Sequence, residues 1–231
     1  MSYAKEAIDE LFEHIAKKLD ISEKLFNAAN REYEALGQWI DERTSYDVAI
    51  YSQGSFSLGT VIKPISDEDD YDLDLVCELA DDYGLEAEEL KNNVVKKWLE
   101  DYRRIDGEIE EKRRCWHVEY EDVKNFHMDV IPAVKVDISN EKDLLPKTIA
   151  ITDHNEDMDT YKYIGSNPAG YMDWFYERCS ERMQVIMENY RIDNKMIRED
   201  AEIEPLDRKQ FKTSLQRTIQ LLKRHRDVMF D

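Results

Sequence analysis

The chain has 231 residues, with 32 basic against 52 acidic side chains and a formal net charge of −20. That length accommodates one large domain or two lobes around a sizeable core. The charge excludes a protein that wraps duplex nucleic acid, because holding a phosphate backbone demands basic surface.

In chain order, the first forty residues read as helical. Ile8, Leu11, Phe12, Ile15 and Leu19 recur at i, i+3, i+4 spacing, and Leu25, Phe26, Ala29, Tyr33, Leu36 and Ile40 repeat it. Asp20-Ile-Ser-Glu23 between them reads as a capping box that starts a second helix, or the two run together as one spine. Residues 47–53 form a strand-like run, Gly54-Ser55 a turn, and a short helix is expected from Ser57. The acidic run at residues 66–70 reads as a solvated loop. Residues 86–102 read as a helix with Leu90, Val94, Val95 and Trp98 inward. Residues 116–120 read as a short strand antiparallel to the apolar run 126–130, whose end Pro132 is expected to mark. Residues 137–165 loosen into a polar stretch with few clear elements. Asn167 then caps a helix with Pro168 at its first position. On that helix Tyr171, Trp174, Phe175 and Cys179 share a face expected to be packed core, base stacking being its other use. Residues 209–230 form a last helix with Leu215, Ile219, Leu222 and Arg226 on one stripe and Arg217, Lys223, Arg224 and His225 around it.

Three cysteines, Cys77, Cys115 and Cys179, are odd in number, far apart and without a C-x-x-C pair. They exclude a cysteine zinc site and fit a reducing compartment. No signal peptide opens the sequence and no apolar run approaches the roughly 20 residues of a spanning helix, so a soluble, cytoplasmic protein is expected, with no membrane partner.

The chemistry gathers in three places. In Tyr71-Asp-Leu-Asp-Leu75, strand alternation projects Asp72 and Asp74 from one face while Leu73, Leu75 and Cys77 go to the other. Like charges held that close repel unless a divalent cation with oxygen ligands sits between them. Asp129, in His127-Met-Asp-Val-Ile131, supplies a third acid from a neighbouring strand. Gly54-Ser55, in Tyr51-Ser-Gln-Gly-Ser-Phe-Ser-Leu-Gly-Thr60, forms a phosphate cradle, since glycine lets backbone approach closely and Ser55 adds a hydroxyl; it is not a P-loop. His127 reads as an ordinary strand histidine, because hard Mg²⁺ prefers oxygen. The basic cluster of the last helix is where a triphosphate would be neutralised.

An apolar strand ending in Gly-Ser, then two acids on an apolar strand, then a third strand acid, resembles the polymerase β-like nucleotidyltransferase superfamily. Within it, Gln53-Gly-Ser-Phe-Ser-Leu-Gly-Thr60, Ser166-Asn-Pro-Ala-Gly-Tyr-Met-Asp-Trp-Phe175 and Leu215-Gln-Arg-Thr-Ile-Gln-Leu-Leu-Lys-Arg-His-Arg-Asp227 resemble the bacterial cGAS/DncV-like nucleotidyltransferases (CD-NTases), synthases of antiphage signalling operons. The stretch between Ser55 and Asp72 is longer than in many superfamily members, as fits this branch.

The resemblance implies an α/β (α+β) fold: a mixed sheet, a helical spine at residues 1–45, a catalytic core at 46–165 and a helical lobe at 166–231. Relatives continue with further helices, so that lobe is expected to be truncated, with an exposed apolar face on its last helix. Asp72, Asp74 and Asp129 are the implied catalytic residues and ligands of two Mg²⁺ ions, with Mn²⁺ as a substitute. Gln53, Gly54, Ser55 and Lys223 are the implied nucleotide contacts, Lys223 lying over the donor phosphates. The implied reaction joins ATP and other ribonucleoside triphosphates into a cyclic di- or trinucleotide with release of pyrophosphate. The implied partners are a downstream effector activated by that product and an operon-encoded accessory protein, the chain itself being a monomer. Two other readings are a transferase that modifies a protein, tRNA or small molecule with the same triad, and a catalytically impaired nucleotide-binding fragment.

Overall fold

Ser22 decides how the N-terminal helices divide. In the computed structural model, which describes residues 10–12, 14–66, 71–102, 105, 107–120, 126–136, 145–179 and 212–230, Ser22 has extended backbone and its hydroxyl accepts from the Leu25 N–H at 3.2 Å. A cap of this kind satisfies one orphan donor of the first turn and starts a helix afresh. Helix α1 (Glu23–Arg43) therefore begins separately from the turns before it, and the single-spine alternative falls. Its apolar stripe buries Tyr33, Leu36 and Ile40 completely.

That stripe packs on a mixed sheet. Strand β1 (Val48–Gln53) leads directly into the short helix α2 (Gly54–Leu58), which starts three residues earlier than Ser57. Strand β2 (Tyr71–Leu79) pairs antiparallel with β1 and parallel with β5 (Phe126–Lys135). Between β2 and β5 the chain forms a π-helical stretch (Glu89–Val95), helix α3 (Lys96–Asp101), and strands β3 (Ile109–Glu111) and β4 (Trp116–Glu119). The strand order is β1-β2-β5-β4-β3, with β6 (Ile149–Asn155) and β7 (Thr160–Ser166) continuing from β5. Helix α4 (Pro168–Glu177) and helix α5 (Ser214–Phe230) complete the described elements. No described helix is long and apolar enough to cross a membrane.

Leu73, Leu75, Cys77 and Leu79 of β2 join Met128 and Val130 of β5, Trp116 and Val118 of β4 and the stripe of α1 in one core. Each fully buried large apolar side chain contributes about 1.5–3 kcal/mol. The core therefore fixes which face of each strand is dry, and with it which face carries the acids.

Several expectations fail for identifiable reasons. Pro132 does not end its strand; β5 runs through it to Lys135. Along its second edge β5 pairs with β4 over residues 127–130 and with β6 over residues 133–135, so Pro132 falls where the partner changes and no ladder donor is needed there. Of the stretch expected to hold few clear elements, residues 149–165 are largely strand, because β6 and β7 form an antiparallel hairpin whose turn places Asp159 at φ 48°. The helix at residues 86–102 is π-helical over its first half, and Lys91 within it is fully buried. Its ammonium donates to the Lys112 and Arg113 carbonyls at 2.5 and 3.1 Å and pairs with Glu111 at 3.0 Å. The acidic run is described only at Ser66 among residues 66–70, so the rest of that expectation lies outside the described residues.

Asn167 does cap α4, accepting from the Gly170 N–H at 2.8 Å. The aromatic face of α4 is split, however. Phe175 and Cys179 are buried, whereas Tyr171 and Trp174 are exposed and stack on each other.

Candidate active site

Strand register assembles the polar face. Asp74 lies beside Asp129 and Asp72 beside His127 across the parallel β2–β5 pair. Gln53 lies beside Asp74 across β1–β2, and His117 and Glu119 lie beside Asp129 and His127 across β4–β5. Residues directly opposed across a ladder share a face. Two rows result: Gln53, Asp74, Asp129 and His117 in one, Asp72, His127 and Glu119 in the other. The dry face beneath is Leu73, Leu75, Met128, Val118 and Val130, all completely buried.

Asp74 is the centre of this face. Burial, then the charges of Asp72 and Asp129, push its carboxyl up to about 7, with Lys223 opposing. A carboxylate so strained by its neighbours is short of a positive charge, and the all-oxygen set of Asp72, Asp74 and Asp129 suits a hard divalent cation.

Gly54, the first residue of α2, sits where a side chain would be strained and would displace Asp74. Its φ is +64°, and a Cβ built there would lie 2.1 Å from Asp74 Oδ2. The glycine thus makes room for the central acid itself. The Ser55 carbonyl accepts from the Thr60 and Val61 N–H groups at 2.9 and 3.2 Å, and the Ser57 hydroxyl donates to the Gly54 carbonyl at 3.1 Å. These bonds hold Gln53, Gly54 and Ser55 at the end of β1 beside Asp74.

Lys223 of α5 feels the charges of two of the acids. Burial pushes its ammonium pKa down, while Asp72 and Asp74 act to raise it. Leu215 and Ile219 of α5 are half-buried against Phe175, Tyr176 and Cys179, Leu222 is exposed, and the residues buried deepest are Gln216, Arg217 and Gln220. The Gln216 amide donates to the Leu58 carbonyl and the Gln220 amide to the Val61 carbonyl, both at 2.8 Å. Arg217 donates to both oxygens of Asp20 at 2.9 Å, and Lys212 and Gln220 donate to Asp20 as well, at 2.6 and 3.0 Å. Of the basic cluster, Arg217 is therefore structural, Arg224 donates to the Lys63 carbonyl and Arg226 pairs with Asp227. Val228, Met229 and Phe230 are exposed at the helix end.

Sequence reasoning missed His117. Its Nδ1 lies 2.9 Å from Asp129 Oδ1, and its ring centre is 4.3 Å from that of His127. The signal was present in Trp116-His-Val-Glu119, since pairing that strand with the Asp129 strand carries His117 onto the acidic face. Cys115, also near Asp129, is held as a neutral thiol by burial and that acid, its pKa pushed up to about 12. The three cysteines are free thiols, as expected.

The family described as "Cyclic GMP-AMP synthase DncV-like, nucleotidyltransferase domain" matches residues 48–132, the segment holding Gln53, Gly54 and all three acids. Over this segment the chain is similar to the DncV-like nucleotidyltransferases. The chain is 29% identical over 239 residues to a c-di-GMP synthase of Roseivirga ehrenbergii, covering 100% of the present chain and 57% of that protein. It also superposes on the CD-NTase CdnG of Bradyrhizobium diazoefficiens, solved in complex with GTP, with a TM-score of 0.66 at 22% identity, over 97% of this chain and 65% of that one. That likeness establishes the shared α+β fold. The chain thus spans less than two thirds of the length of either relative.

Proposed function

We propose that this chain joins ribonucleoside triphosphates into a cyclic di- or trinucleotide, releasing pyrophosphate, as a second-messenger synthase of antiphage defence in the cytoplasm. The observation that carries the reading is Asp74, set between Asp72 and Asp129 on one sheet face and pushed up to about 7 by burial and those two charges. Asp72, Asp74 and Asp129 would hold two Mg²⁺ ions, or Mn²⁺. Bound there, the metal supplies charge neutralisation of the triphosphate and a lowered pKa for the acceptor ribose hydroxyl. Gln53, Gly54 and Ser55 receive the donor phosphates at the end of β1, where the glycine keeps backbone close to the acids. Lys223 adds a cation from α5, a role supported by the charges of Asp72 and Asp74 acting on its ammonium. Asp129 accepts the proton of the attacking hydroxyl. Residues 46–165 act as the catalytic core, residues 1–45 as a spine behind it and residues 166–231 as the lobe that closes the cleft. The c-di-GMP synthase and the GTP-bound CdnG support guanine nucleotides among the substrates.

Incubating the purified chain with Mg²⁺ or Mn²⁺ and all four ribonucleoside triphosphates, treating with phosphatase and analysing by mass spectrometry tests this. A phosphatase-resistant cyclic product that disappears in Asp74→Asn is expected. Nucleotide transfer that appears only after an acceptor protein, tRNA or small molecule is added would overturn the synthase reading.

A further inference from the structure

The polar face does not end at the three carboxylates. His117, His127 and Asp129 each offer a ligand atom, and these atoms lie within 4.8 Å of one another, a group that excludes Asp72 and Asp74. We propose that His117, His127 and Asp129 form a transition-metal site, of nitrogen and oxygen donors, that takes a borderline divalent cation such as Zn²⁺ or Co²⁺ in preference to Mg²⁺.

Three observations carry it. The first is spacing: His117 Nδ1 and Asp129 Oδ1 are 2.9 Å apart. Two ligands on one tetrahedral ion, each about 2.0–2.1 Å from it, are separated by about 3.3–3.4 Å, so opening the pair by about 0.4 Å seats a cation. A proton bridges the closer gap as a hydrogen bond, and a cation bridges the wider one as two coordinate bonds. The second is placement. Both histidines are fixed by ladder pairing, His117 opposite Asp129 and His127 two residues before it on the same face, so neither donor depends on a loop. His117 and Asp129 retain 18% and 24% side-chain exposure, which leaves an ion a path in. The third lies on the far side of the imidazole. With Nδ1 toward the ion, His117 Nε2 faces Glu119 Oε1 at 3.9 Å. A carboxylate behind a ligating histidine orients the ring and raises its basicity.

Donor chemistry then sets the preference. Imidazole suits zinc, cobalt and nickel, whose affinities for such sites exceed those of hard alkaline-earth ions, whereas Mg²⁺ favours oxygen and gives up its water reluctantly. The two sites share Asp129 but differ in hardness. The inference concerns bound metal and stands whether or not the chain makes a cyclic product.

The test uses the full chain and Co²⁺ alone as probe, with Mg²⁺ in large excess to saturate the carboxylates, read by the visible ligand-field bands of cobalt. One Co²⁺ per chain is expected to persist, with affinity about tenfold or more weaker in His117→Gln and His127→Gln and little changed in Asp72→Asn. Displacement of Co²⁺ by the excess Mg²⁺, or an affinity that follows Asp72 and ignores both histidines, would overturn the proposal. Zinc K-edge fine structure on the unmodified protein reads the ligands without any variant. Imidazole scattering supports the site, and an oxygen-only shell refutes it.

Discussion

Replacing Gly54 with alanine separates the two demands this glycine meets. A residue with a Cβ at φ +64° pays about 1–2 kcal/mol for left-handed backbone. Its new carbon would also lie 2.1 Å from Asp74 Oδ2, well inside the 3.0 Å that real Cβ contacts essentially never breach. Asp74 must therefore turn away by roughly 1 Å, at an off-rotamer cost of about 0.5–1.5 kcal/mol, and a misplacement of that size at a reacting centre lowers rates by about 100-fold. Gly84 provides the control. Its φ is +72° and nothing lies within 4 Å of a Cβ built there, so Gly84→Ala pays the backbone cost alone. Denaturant melts and turnover of nucleoside triphosphates, measured side by side, are expected to show both variants destabilised and only Gly54→Ala inactive. If the two variants kept equal activity after comparable losses of stability, the claim that Gly54 makes room for Asp74 would be wrong.

Asp74→Asn is expected to abolish turnover yet stabilise the metal-free chain. The folded carboxyl titrates near 7 instead of 3.8, so its destabilising charge is absent below the unfolded value, grows as pH rises and is complete above about 7. Melts at pH 4 and pH 8 check this, the gain of the variant appearing at pH 8 alone. Asp20 behaves oppositely: burial acts to raise its carboxyl pKa, but hydrogen bonds from Lys212, Gln220 and Arg217 outweigh that and hold it below the usual value. Its contribution is present above pH 3.8 and lost as pH falls through the lowered value. Asp20→Asn should cost about 2–3 kcal/mol, and hydrogen exchange should show α5 losing protection before the sheet does.

How much the sequence disclosed depends on the range of the interaction involved. The site acids were legible because alternation along a single strand puts Asp72 and Asp74 on one face whatever lies around them. The Asn167 cap is likewise decided within four residues, whereas the capping box expected over residues 20–23 gives way to Ser22 as the cap. Pro132 misled because its tolerance depends on a change of partner strand, which no local pattern records. The polar docking of α5 was hidden for the same reason. Leu215, Ile219 and Leu222 form a regular stripe, and beside it Asp20, almost two hundred residues earlier, recruits Arg217 and Gln220 into a buried polar strip. Lys91 is a third case: an aliphatic stem with a charged end is buried only because two carbonyls and Glu111 lie waiting in a hairpin twenty residues on.

Docking α5 through amides and a guanidinium has a consequence that an oily seam would not. Apolar side chains slide past one another at little cost, so a helix held by leucines has several neighbouring seats of similar energy. A helix held by Gln216, Arg217 and Gln220 has one. Sliding it by a single turn would strand two buried carboxamides and a buried charge, each worth more than the contacts regained. The helix therefore behaves like a key cut for one lock, and Lys223, one turn beyond Gln220, takes its orientation from bonds made to Asp20, Leu58 and Val61.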